Sequence, residues 1–142
     1  SNPSSSEFQD IKTESGEMLY DLIARKVTEW GADLQGKYGY SSVGAVVGAT
    51  YPLEAAKLRQ EMPYTYFLIP GYGAQGALAD DISAVFYKNG TGGIVNSSRG
   101  ILLAYRNEKY RGLVFADAAR QAVIAMRQDI LSAFEVKGIK YK

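Results

Sequence analysis

Apolar positions along the chain alternate between two kinds of pattern. Leu19, Ile23, Val27 and Trp30 fall at three- and four-residue steps, which predicts a helix from Glu17 that ends at Gly31 or Gly36. Val43 to Ala49 is instead an uninterrupted small apolar run, the pattern of a strand buried on both faces. A helix follows over Pro52 to Glu61, with proline in its first turn. Tyr66-Phe67-Leu68-Ile69 predicts a second buried strand, ended by Pro70-Gly71. Leu78, Ile82, Val85 and Phe86 line one face of the next helix, with Asp80 and Asp81 in its first turn and Lys88-Asn89-Gly90 closing it. Gly93 to Asn96 is the third strand. Ala116, Ala119, Val123, Met126, Ile130 and Ala133 mark a long final helix. Ser1 to Lys12 reads as a loop, and Lys137 to Lys142 as a polar tail.

A helix followed by three strand–helix units at a spacing of about 25 residues is an α/β order, which builds a parallel sheet with right-handed crossovers. Three such strands leave two open edges and more apolar surface than four helices cover easily. The chain also opens on a loop and a helix rather than a strand, so the expectation is a fragment of a larger α/β domain with an N-terminal portion missing.

Composition narrows the chemistry. The 142 residues, 46% hydrophobic and 22% charged, suit one folded globular domain. Sixteen basic against fifteen acidic residues leave no footprint for nucleic acid or an anionic membrane, so any bound anion needs a local site. The absence of cysteine excludes disulfides, thiolate metal sites and cysteine nucleophiles; the absence of histidine removes the commonest general base and metal ligand. No metal or cofactor is expected. No run approaches the ~20 apolar residues of a membrane span, which leaves a cytoplasmic enzyme or binding domain as the expectation.

Two strand-end turns carry the candidate chemistry. Pro70-Gly71-Tyr72-Gly73-Ala74-Gln75-Gly76 opens into the Leu78 helix, and glycines there let backbone N–H groups approach a ligand closely. Gly71, Gly73 and Gly76 match the dinucleotide spacing G-x-G-x-x-G, but the next strand ends Asn96-Ser97-Ser98-Arg99-Gly100 without the carboxylate that would hold a ribose. That second turn offers hydroxyls, a small residue and the planar donor fork of Arg99, which suits phosphate. Consecutive strand-end loops of this kind build the phosphate site of many (β/α)₈ barrels, after strands seven and eight.

Val43-Gly44-Ala45-Val46-Val47-Gly48-Ala49-Thr50, Leu68 to Gly76 and Ile94 to Ile101 resemble the sixth to eighth strands of orotidine 5′-phosphate decarboxylase, especially its longer bacterial subfamily. Ser1-Asn2-Pro3-Ser4-Ser5 with Glu7-Phe8-Gln9-Asp10 is similar to the stretch after the family's fifth strand. The resemblance implies that residues 1–142 are the C-terminal part of one TIM-barrel domain, about strands six to eight, partnered by the N-terminal half of the same barrel and belonging to a homodimer. It implies cofactor-free decarboxylation of orotidine 5′-phosphate to uridine monophosphate. Gln75 and Arg99 would grip the substrate phosphate, amides around Gly73, Ser98 and Arg99 would complete the cradle, and the loop from Pro70 and Gly71 onward would be the lid. Ser1 would meet the amide edge of the pyrimidine. Tyr72 departs from some relatives and takes no role from the resemblance, and Ala77 stands where the family usually has a second glycine.

The family's reaction also needs a Lys–Asp–Lys–Asp array, with one aspartate from the partner subunit, and no Asp-x-Lys-x-x-Asp pattern occurs here. Asp80-Asp81 open a helix, while Lys57 and Lys88 are expected on helices. No catalytic residue is therefore expected in this chain, which alone should be inactive. Alternatives are a related sugar-phosphate barrel such as a hexulose-phosphate synthase, and a non-catalytic phosphate-binding module. Two half-barrels assembling as separate chains, or a longer chain clipped near Ser1, would give the same sequence.

Overall fold

The computed structural model describes residues 5–73 and 76–141. Three parallel strands form one sheet in the order β1-β2-β3, with β1 at Ala45–Val46, β2 at Phe67–Pro70 and β3 at Gly93–Asn96. Before them come α1 (Ser6–Gln9) and α2 (Leu19–Gly31); α3 (Pro52–Glu61) and α4 (Ala79–Ser83) connect the strands. After β3 come α5 (Ser98–Leu102), two 3₁₀ turns at Ala104–Arg106 and Glu108–Tyr110, and α6 (Phe115–Val136). The strand–helix alternation and the parallel pairing are those the hydrophobic pattern predicts.

Register explains which residues are buried. Val46, Leu68 and Ile94 lie abreast across the three strands, as do Ala45, Phe67 and Gly93. Successive strand side chains point to opposite faces. Phe67 and Ile69 are sealed on the helix side with Val47, Ala49, Ile82 and Val85, whereas Val46, Leu68 and Ile94 are exposed on the other. The expectation of strands buried on both faces is thus corrected: among the described residues, helices cover only one.

The helix-side core is tied down by a buried arginine. Arg59, in the last turn of α3, donates to the carbonyl oxygens of Val85, Met62, Thr65 and Gly92 at 2.7–3.1 Å. Its guanidinium lies 3.5 Å from the centre of the Phe67 ring. A buried cation without a carboxylate is tolerated because four carbonyl dipoles and an aromatic face replace its water. Burial pushes its pKa below the usual arginine value, with Tyr87 opposing that shift.

Several local expectations change. Helix α2 buries Asp21, Ala24, Val27 and Gly31, and leaves Ile23 51% and Trp30 62% exposed. Its inner face is therefore turned by ~100° from the apolar stripe, because Gly31 packs closely against Ser41 and Val43, where a larger residue would clash. Helix α6 likewise seats Ala118, Ala122 and Phe134, while Ala116 and Val123 stay exposed. Its small residues face Ala104, and Phe134 packs against Phe86 with ring centres 5.0 Å apart and planes tilted by 59°.

Helix α4 stops at Ser83, and Leu78 is exposed at its start. The Leu78 amide donates to the Asp81 carboxylate at 2.9 Å, so the first-turn acid does cap the helix. Lys88 therefore lies in a separate turn closed by Gly90, not on the helix. The N-terminal stretch is not all loop, since Ser6–Gln9 makes one helical turn.

Candidate anion-binding site at the strand ends

The turns after β2 and β3 come together at the C-terminal ends of their strands. Parallel pairing sets Pro70 beside Asn96, so the segments that follow leave the sheet side by side. Pro70, Gly71, Tyr72, Asn96, Ser97, Ser98 and Arg99 line one small cavity of about 110 Å³. That is room for a few waters at ~30 Å³ each, the scale of a phosphate group.

The first turn is shaped by glycine. Gly71, Gly73 and Gly76 have φ of 109°, 68° and 92°, a region that residues with a Cβ rarely enter. Gly73 donates to the Ala77 carbonyl at 3.0 Å, and Ala77 donates back to Gly71 at 3.3 Å, closing a tight loop. Ser97 is buried and its hydroxyl donates to the Tyr72 carbonyl at 3.2 Å, joining the two turns directly. Gly100 allows this, because a Cβ there would stand 2.6 Å from the Ser97 hydroxyl.

The predicted site residues divide clearly. Pro70, Gly71, Ser98 and Arg99 share the small cavity, and Gly73 and Arg99 line a second of about 590 Å³ immediately behind it, between α5, the 3₁₀ turns and α6. Ser98 and Arg99 are exposed. Among the described residues Arg99 makes no ion pair and no side-chain hydrogen bond, so the surface pairing of an ordinary helix arginine is not what holds it. Ser1 and Gln75 lie outside the described residues.

The Ser97 hydroxyl, expected among the ligand groups of the second turn, faces the neighbouring turn instead. One site feature has no precedent in the motifs: the Tyr72 hydroxyl donates to the Asp129 carboxylate of α6 at 2.7 Å. Burial first, and then that hydrogen bond, hold the Tyr72 phenol well above its usual pKa. A contact across 57 residues leaves no local signal in the sequence.

Among the described residues no three acidic side chains gather as a metal site, and no helix is long and apolar enough to cross a membrane. The geometry offers backbone amides, a hydroxyl and one arginine around a small cavity, a set suited to holding an anion rather than to breaking bonds.

No family profile matches the chain. It is 47% identical over 137 residues to an orotidine 5′-phosphate decarboxylase of Clostridium tetani, covering 96% of this chain and 47% of that protein. The same enzyme name belongs to a Petrotoga mobilis protein, 47% identical over 93% of this chain and 46% of its own length. Among solved structures, the OMP decarboxylase of Leishmania donovani superposes with a TM-score of 0.65 at 27% identity, covering 94% of this chain and 44% of that one. The UMP synthase of the same organism gives 0.66 at 29% identity, over 94% of this chain and 26% of its own. The chain spans about half the length of the curated relatives it matches. It is thus a relative of the orotidine 5′-phosphate decarboxylases, matched along nearly all of its own length.

Proposed function

We propose that this chain supplies the phosphate-binding side of an orotidine 5′-phosphate decarboxylase, as the last part of a (β/α)₈ barrel, about strands six to eight. The observation that carries the reading is the shared cavity at the ends of β2 and β3, with Arg99 on its rim and two glycine- and serine-rich turns hydrogen-bonded together behind it. The exposed row Val46, Leu68 and Ile94 supports the barrel reading, because an N-terminal half closing the barrel would cover that face.

In this reading Arg99 meets the phosphate with its donor fork, the amides of Ser98 and Arg99 surround it, and Pro70 and Gly71 shape the wall; the Gly73 amide, expected to join them, is instead taken by the Ala77 carbonyl. Gln75 joins them, and Ser1 reads the pyrimidine, on the strength of sequence resemblance. The bond-breaking step belongs to lysines and aspartates on earlier strands. Cleavage leaves the electron pair of the C6–carboxylate bond on C6, which a nearby ammonium then stabilises and protonates. Phosphate contacts far from C6 contribute by fixing the substrate and excluding water, so their loss appears in turnover as well as in binding. For the homodimer and the cytoplasmic setting the support is the resemblance.

Binding of uridine monophosphate, measured by calorimetry on the chain and on its Arg99→Ala variant, tests the site. Removal of one charge-assisted partner is expected to cost about 2 kcal/mol or more, a weakening of at least about thirtyfold. Equal affinity in both proteins, or none in the parent chain, contradicts the assignment.

A further inference from the structure

The turn after β2 contains one large side chain, Tyr72, set between two glycines. With Gly71 at φ 109° and Gly73 at φ 68°, residue 72 sits between two swivels, and nothing in its own backbone decides where the turn points. The structure supplies that decision from outside, twice. The Tyr72 carbonyl accepts from Ser97 of the neighbouring turn at 3.2 Å, and its hydroxyl donates to Asp129 of α6 at 2.7 Å. Main chain and side chain are therefore anchored to different elements, one on the β3 side and one on the outer helix.

Both anchors border the candidate site. Tyr72 lines the small cavity with Ser98 and Arg99, and it lines the larger one behind with Arg99 and Asp129. Asp129 lies on the long helix α6, which also packs against α5 and α4, so the anchor is not itself a loop. A bond to a carboxylate is stronger than one between neutral groups.

Resting on the phosphate-site reading, we propose that Tyr72 is a positioning residue for that site. Through Asp129 and Ser97 it fixes the Gly71–Gly73 backbone relative to Arg99, so that the wall formed by Pro70 and Gly71 and the Arg99 fork border the same cavity. Tyr72 does not touch the substrate in this role. It holds the wall against which Arg99 meets the anion.

Amide hydrogen exchange at Gly73 and Ala77, combined with titration by inorganic phosphate, tests the assignment on the chain itself. Tyr72→Phe keeps the ring and removes only the donor, and Asp129→Ala removes the acceptor from the other side. Each is expected to speed exchange at both amides by about tenfold and to weaken phosphate severalfold, with helix content unchanged. The double variant is expected to be no worse than either single one, since both break one bond. Unchanged exchange in Tyr72→Phe, or additive losses in the double variant, would overturn the proposal. If exchange responds while phosphate affinity does not, the bond is structural and the positioning role falls. A parent chain that binds no phosphate overturns the site reading instead, and the exchange data identify that case separately.

Discussion

Phe67 and Ile69 are sealed from solvent, whereas Leu68 between them is 40% exposed, although all three belong to one apolar run in one strand. The difference is one of face. Helices α2, α3 and α4 close over the first two with Arg59 beneath, and among the described residues no element closes over the third. An apolar side chain costs the same to place on either side of a strand, so a sequence that spends Val46, Leu68 and Ile94 on the open side is written for cover there. In the proposed barrel that cover comes from the other strands, whose inward side chains pack in layers with these.

The contrast between the faces can be broken by mutation. The largest effect is expected from Ile69→Ala, which should destabilise the chain by about 3–5 kcal/mol in chemical denaturation, through lost transfer energy and a cavity that cannot collapse. Leu68→Ala should cost far less, and equal costs would mean that the faces do not differ as described. Arg59→Met is expected to cost about 2–4 kcal/mol, because four buried carbonyls lose their donor. Arg59→Lys should not restore it, since one ammonium cannot reproduce the planar fork. The smallest effect is expected from Leu68→Lys, within about 0.5 kcal/mol for this chain by thermal melting. In a closed barrel the same charge would be buried, and a severe loss there would sharpen the comparison.

Hydrophobic patterning places β2, β3 and α3 nearly to the residue, because short apolar strands and a proline-led helix have strong local signals, whereas the run Val43 to Ala49 yields only the two-residue strand Ala45–Val46. The same patterning misplaces the inner faces of α2 and α6. Small residues such as Gly31, Ala118 and Ala122 win the close contacts, while larger ones such as Trp30 and Val123 stay outside. The α5 and 3₁₀ segment between β3 and α6 has no apolar period to betray it, and it forms one wall of the larger cavity. In the candidate site, Pro70, Gly71, Gly73, Ser98 and Arg99 follow from motif and family likeness. The roles of Tyr72 and Asp129, and the partner of the Ser97 hydroxyl, do not, since they lie in contacts between distant segments.

Decarboxylation is followed most directly through the orotate chromophore, with orotidine 5′-phosphate added to the gene product that contains this chain and, in parallel, to its Arg99→Ala variant. The expected result is turnover in the parent protein and a loss of about 2–4 kcal/mol in transition-state stabilisation in the variant, roughly thirtyfold to a thousandfold in kcat/KM. An inactive parent protein, or a variant as active as its parent, would contradict the assignment of this chain as the phosphate-binding side of the decarboxylase.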